Sequence, residues 1–194
     1  MAGTLIVSNI EAQNYKYDSD TTGMTIGSGG HVDLPQNNNV SMFGLQANQT
    51  VTGGASSTIT NWAQMNSQTN YGYKQVGSAM SVSSGMFTTT KLGLYRVYCE
   101  AHFSCGNDSR WIQVDLKFIP NGGSAIGGDL YENVHVSESS STYLVANRMR
   151  YFNFNHTGDQ CYMYVGSSQT IELRGAANDF DTWIGFEWIA PAVA

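Results

Sequence analysis

Residues 95–105 read Y-R-V-Y-C-E-A-H-F-S-C, and the fold turns on this stretch. Tyr95, Val97, Cys99, Ala101, Phe103 and Cys105 fall on one face. Arg96, Tyr98, Glu100, His102 and Ser104 fall on the other. A β-strand points successive side chains to opposite faces, so this period of two predicts a strand with one face in a core. Ile112, Val114, Leu116 and Phe118 repeat the pattern against Gln113, Asp115 and Lys117, which are expected on the polar face. Ile171 with Leu173, and Ile184 with Phe186 and Trp188, do the same near the C-terminal end. Turn-forming clusters separate these runs at Gly106-Asn107-Asp108, Pro120-Asn121-Gly122-Gly123 and His156-Thr157-Gly158-Asp159. No apolar repeat at helical spacing occurs. Short alternating strands between turns predict an all-β antiparallel sandwich or barrel.

The length of 194 residues suits one domain with an appended arm and is enough to bury a sizeable core. Charged residues make up only 12% of the chain, about half the usual share, so Ser, Thr, Asn, Gln and Gly must supply most of the polar surface. Such neutral groups are less costly than ions to bury against a protein neighbour. The formal charge of −6, with no cluster of Lys or Arg, argues against nucleic acid as a partner. No apolar stretch approaches the ~20 residues of a membrane helix, so a membrane is not expected either. The opening M-A-G-T-L-I-V-S-N-I lacks a basic region before an apolar one and does not read as a signal peptide.

Three cysteines, an odd number, suit a reducing compartment better than a disulfide framework. Cys99 and Cys105 share a strand face at roughly 20 Å if extended, too far to bridge, while Cys161 could approach either from another strand. The plain expectation is three small buried hydrophobes.

Residues 1–39 differ from the rest and are expected to form an N-terminal arm, with residues 40–194 as the folded domain. Leu5 and Val7 suggest one short strand. Met24, Ile26, Val32 and Leu34 are isolated apolar anchors around the turn signal Gly27-Ser28-Gly29-Gly30. Too few apolar residues are present for a separate core, so this segment is expected to become ordered against a partner. From Val40 to Gln75, polar residues interspersed with Phe43, Leu45, Ile59, Trp62 and Met65 suggest short edge strands and loops.

Catalytic signatures are absent: no G-x-S-x-G, no H-E-x-x-H and no phosphate loop. His102 beside Glu100 could donate to a metal only with ligands from elsewhere, and a solvated or interfacial histidine is the simpler reading. Asn178, Asp179 and Asp181 are oxygen-rich enough for a calcium ion, but their spacing does not match the calcium loop of helix–loop–helix proteins, and a polar turn is the simpler reading. No enzyme, cofactor or metal centre is therefore expected. Aromatics that fall outside the core pattern are the remaining clue: Tyr98, Trp111 and Trp183 oppose the core faces of their strands. Tyr and Trp in such places serve protein interfaces more often than sugar stacking.

Met86-Phe87-Thr88-Thr89-Thr90-Lys91-Leu92-Gly93-Leu94-Tyr95-Arg96-Val97 resembles the strand entry of complement globular-head and tumour necrosis factor-like jelly rolls, where an aromatic leads through a turn into Gly-x-Tyr. Gly166 to Leu173 resembles the penultimate strand of that family, and Asp181-Thr182-Trp183-Ile184-Gly185-Phe186-Glu187-Trp188-Ile189 its closing strand. The resemblance spans roughly Val76 to Pro191, with Ser124 to His156 departing from the pattern. It implies an antiparallel jelly-roll sandwich and a homotrimer packed through aromatics. Thr4 to Ile10, followed by Met24 to Leu34, is similar to the opening of tailed-phage structural proteins. That similarity implies a virion protein assembled in the host cytoplasm: a decoration, or cement, protein clamping the major capsid protein or another virion protein. A tail-fibre module that binds a receptor or glycan is the alternative. Tyr98, Trp111, Trp183, Leu5, Val7, Met24 and Ile26 are the expected interface residues.

Overall fold

The computed structural model describes residues 14–16, 22–26, 32–33, 40–65, 80–105, 111–126, 142–176 and 181–192, and these contain strands and turns but no helix. The strands are β1 (Asn14–Lys16), β2 (Thr22–Ile26), β3 (Val32–Asp33), β4 (Val40–Leu45), β5 (Ala47–Val51), β6 (Ser56–Thr58), β7 (Trp62–Gln64), β8 (Met80–Ser83), β9 (Met86–Thr89), β10 (Gly93–Cys105), β11 (Ile112–Ile119), β12 (Thr142–Phe154), β13 (Gln160–Ser167), β14 (Ile171–Ala176) and β15 (Trp183–Ala190). The chain separates into two compact units, Met1–Asn38 and Asn39–Ala194. Within the first, β1, β2 and β3 pair in that order as an antiparallel sheet, with Tyr15 opposite Met24 and Thr25 opposite Asp33. The scattered apolar residues of this segment do not predict that pairing. The strand expected around Leu5 and Val7, and the glycine run 27–30, lie outside the described residues.

The second unit is an all-β antiparallel jelly-roll sandwich. Its larger sheet runs β5-β14-β10-β15-β4-β7, with β12 also paired to β10; the smaller runs β11-β13-β9-β8, with β6 on β13. The organising element is β10. Along all thirteen of its residues it pairs with β12, from Gly93 opposite Phe154 to Cys105 opposite Thr142. A strand has two edges, so β15 and β14 must share the other. Tyr95 to Glu100 face Trp188 to Trp183 on β15, and Phe103 and Ser104 face Leu173 and Glu172 on β14. At the changeover the backbone N–H of His102 donates to the Thr182 hydroxyl oxygen at 3.1 Å, which satisfies a donor that neither strand reaches.

The alternation read at Tyr95–Phe103 holds. Tyr95, Val97, Cys99, Ala101 and Phe103 are buried, as are Ile112, Val114, Leu116, Ile171, Leu173, Ile184, Phe186 and Trp188. Two aromatic groups dominate this core. Phe87 touches Phe186, Phe43 and Trp62 with ring centroids 4.9, 5.0 and 5.9 Å apart. Phe118 contacts Phe152 and Phe154 at 5.3 and 5.2 Å, and Phe154 meets Tyr95 at 5.2 Å. Each such pair adds about 0.5–1.5 kcal/mol beyond the burial of its surface. Cys99 and Cys161 are buried free thiols, and burial pushes that of Cys99 up to about 12 and that of Cys161 higher still.

Two expectations need correction. Gln113 and Asp115 have the outward parity assigned to them, yet both are buried rather than solvated. Asp115 Oδ1 accepts a hydrogen bond from the Arg150 guanidinium at 2.8 Å, and Arg148 Nε donates to the Val114 carbonyl at 2.9 Å. These two arginines, on the core-side parity of β12, thereby bridge from the larger sheet to the edge of β11. Burying a carboxylate is tolerated only with such a partner. The segment after Val40 is likewise not all edge. β4 pairs with β15 on one side and β7 on the other, and it buries Phe43 and Leu45.

Candidate functional site

The face of the larger sheet that points away from the core is where unexplained apolar surface collects. The register sets out its rows. Tyr98 of β10 stands between Met149 of β12 and Gly185 of β15, and Gly185 is followed by Met42 of β4. In the adjacent rows Glu100 lies between Asn147 and Trp183, and Arg96 between Tyr151 and Glu187. His102 stands opposite Val145. Met149, Tyr151 and Val145 are 57, 56 and 49% exposed, high values for large apolar side chains that share one face of one strand.

Glycine at 185 shapes this face. A Cβ there would stand 2.6 and 2.7 Å from two ring carbons of Tyr98 and 2.9 Å from its hydroxyl oxygen, so the phenol lies across the bare backbone. Folded down this way, Tyr98 meets Trp183 edge-on at 5.6 Å, with the Arg96 guanidinium 5.7 Å from the tyrosine ring centroid. Beside the pair runs an open depression of about 420 Å³ lined by Tyr98, Cys99, Glu100, Asn147, Arg148, Met149 and Trp183. Charge is present, each group beside a polar partner. Arg96 pairs with Glu187, and the Glu100 carboxylate lies 2.8 Å from His102 Nε2. Toward the rim, Arg174 pairs with Asp181 at 3.1 Å. A face of aromatic, Met and Arg side chains with its charges paired has the composition of a protein interface core.

Tyr98 and Trp183 were expected together at an interface, and the fold brings them into contact. Trp111 is elsewhere. It precedes β11 in the smaller sheet, where its ring occupies the space above Gly166, beside Ser56. Met24 and Ile26 lie on β2, and Leu5 and Val7 fall outside the described residues. Of the oxygen-rich loop, Asp181 faces Arg174 rather than a free coordination space, and Asp179 is not described. Among the described residues, no group of three or more His, Cys, Asp or Glu side chains converges as metal ligands would.

Val145, Met149 and Tyr151 were missed. The outer parity of β12 reads Val145, Asn147, Met149, Tyr151, and the inner reads Leu144, Ala146, Arg148, Arg150, Phe152, Phe154. Both faces mix apolar and polar residues, and two arginines sit on the inner one, so the strand shows no readable alternation. The signal existed only in the neighbouring strand, whose unambiguous parity fixes that of β12 once the two are paired.

No protein-family model matches the chain, and neither does any curated protein. Solved structures do. The Eiger TNF of S. frugiperda superposes with a TM-score of 0.55 at 14% identity, covering 81% of this chain and 96% of that one. Murine APRIL superposes at 0.56 and 12% identity, covering 78% and 99%. At such identities the likeness is one of fold, and it agrees with the jelly roll.

Proposed function

We propose that this chain is a non-catalytic structural protein of a tailed-phage virion that self-assembles as a homotrimer, decorates the capsid and clamps neighbouring capsid subunits. The observation that carries the assembly half is the strip Val145, Met149 and Tyr151 beside Tyr98 and Trp183. Leaving so much contiguous apolar surface in water is unfavourable, and a closed three-fold ring covers it by repeating one heterologous contact between neighbours. The virion half is supported by the Thr4–Ile10 and Met24–Leu34 similarity and by a surface poor in charge. The unit before Asn39 supplies the clamp.

Sedimentation velocity at micromolar concentration tests the assembly. The expected species is about three times the 21.1 kDa chain mass, and Val145→Glu with Met149→Glu should yield a folded monomer. A wild-type monomer refutes the trimer. Deleting residues 1–34 tests the clamp: the trimer should persist while binding to particles is lost. The alternative, a tail module that binds a glycan, draws on the depression between Trp183, Tyr98 and Asn147. Glycan binding that survives the deletion, with capsid occupancy unchanged by it, favours that reading.

A further inference from the structure

We infer that self-association of this chain is coupled to proton uptake through the Glu100–His102 pair; the inference rests on the assembly reading above. The two side chains stand two residues apart on β10, on its outward parity, with His102 Nε2 2.8 Å from Glu100 Oε1. They are 25 and 32% exposed, so a covering subunit removes most of the water they still contact. Their immediate neighbours on the face are Val145 and Asn147 of β12 and Trp183 of β15, none of them ionisable near neutrality.

The other charges around the pair are accounted for among the described residues. On β10 itself Arg96 is matched by Glu187 of β15. Asp181, just before β15, is matched by Arg174 of β14. On β14 Glu172 accepts a hydrogen bond from the Asn48 side-chain amide of β5 and is exposed at the rim. Arg150 of β12 has the opposite parity and is matched by Asp115. Arg148, also of opposite parity, borders the depression beside Glu100, with its guanidinium on the Val114 and Asn147 carbonyls. Among the described residues, the pair Glu100 and His102 is therefore where protonation would change the charge of this face.

With the imidazole neutral, the pair carries one negative charge into the interface, repeated in each copy. With the imidazole protonated, it is a salt bridge of no net charge. Desolvating an uncompensated carboxylate costs far more than desolvating a matched pair, so the assembled state favours the protonated histidine. Imidazole is the side chain whose charge ordinarily changes between pH 5 and 8, which places the effect in an accessible range. Linkage fixes the sign. Association takes up protons, so it strengthens as pH falls, by at most about tenfold per copy per pH unit for one proton bound.

The test is sedimentation equilibrium of the full chain at pH 8.0 and pH 5.5 at constant ionic strength, with circular dichroism confirming that each sample is folded. The concentration at half-dissociation should fall about tenfold or more in acid for the wild type, following the one-proton linkage. In His102→Gln the response should vanish. In Glu100→Gln, which removes the buried charge without the histidine, association at pH 8.0 should already match the wild type in acid. A wild-type trimer with no pH response overturns the coupling and leaves the assembly reading intact. A response that survives in His102→Gln places the proton elsewhere and also overturns it. A monomer at both pH values overturns both.

Discussion

Adding one methyl group at position 185 separates the roles of the two faces of β15. Gly185→Ala places a Cβ 2.6 Å from Cζ of Tyr98 and within 2.9 Å of two further atoms of its phenol. Contacts that short force movement, and the group best able to move is the tyrosine, which would swing off the sheet. Overpacking of this kind costs about 1–3 kcal/mol. Against it, alanine in a strand interior gains about 0.5–1 kcal/mol over glycine through backbone entropy. The net expectation for Gly185→Ala is a loss between nothing and about 2.5 kcal/mol, set by those two principles. In a Tyr98→Ala background the clash has no partner, so the same change should stabilise by about 0.5–1 kcal/mol. Urea denaturation of the four proteins, at a concentration where all share one oligomeric state, gives the coupling energy. It should be about 1–3 kcal/mol. Additivity within about 0.5 kcal/mol would mean that Tyr98 does not lie over Gly185, and the flattened face would go with it.

Phe186→Ala and Trp183→Ala should differ in kind. Phe186 is wholly buried between Phe87 and Phe43, so its loss should cost about 4–5 kcal/mol and lower the midpoint of thermal unfolding by about 10–15 °C. Trp183 is half-buried on the outer face, and its removal should raise the dissociation constant while shifting the melt far less. The opposite ranking in calorimetry would invert the strand's face assignment. Alkali should also unfold the protein. Burial raises the Cys99, Cys161 and Tyr95 hydroxyl or thiol pKa values, and a raised folded pKa confers stability that is intact below the unfolded value and lost above it. Melting temperature should hold to about pH 8 and then fall through pH 9–11. In a Cys105→Ser variant at pH 8 no thiol should react with Ellman's reagent until denaturant is added. Rapid reaction in the native state would show that these cysteines are not enclosed.

How far the fold could be read depended on whether one face of a strand was uniformly apolar. Tyr95 to Phe103 and Ile184 to Trp188 meet that condition, and their parity and burial agree in the structure. β12 does not, because Arg148 and Arg150 take core-side positions and spend their charge on Val114 and Asp115 across the gap between sheets. Tertiary pairing overrode local pattern there, and it hid the most exposed part of the face. Asp115 was misjudged for the same reason: a lone sequence shows the carboxylate but not the guanidinium that makes its burial tolerable. Tyr98 and Trp183 could be placed outside the core by parity alone. Their contact could not, since it depends on β10 and β15 being neighbours and on a glycine whose meaning is empty space.

The central position of β10 also sets the timetable of synthesis. Every partner it acquires, from Thr142 on β12 to Ala190 on β15, is encoded after it, and the last is about eighty-five residues downstream of Cys105. A ribosome adding ~5–20 residues per second takes several seconds to cover that distance. Until β12 has been made, both edges of this thirteen-residue strand, with Tyr95, Val97, Ala101 and Phe103 on one side, lack their partners, and until β15 has been made one edge still does. Nascent chains are therefore most prone to pair with one another here. Crowded polysomes, high expression temperature or a slow codon run between 106 and 142 should all divert the product into inclusion bodies, and added holdase chaperone should recover it.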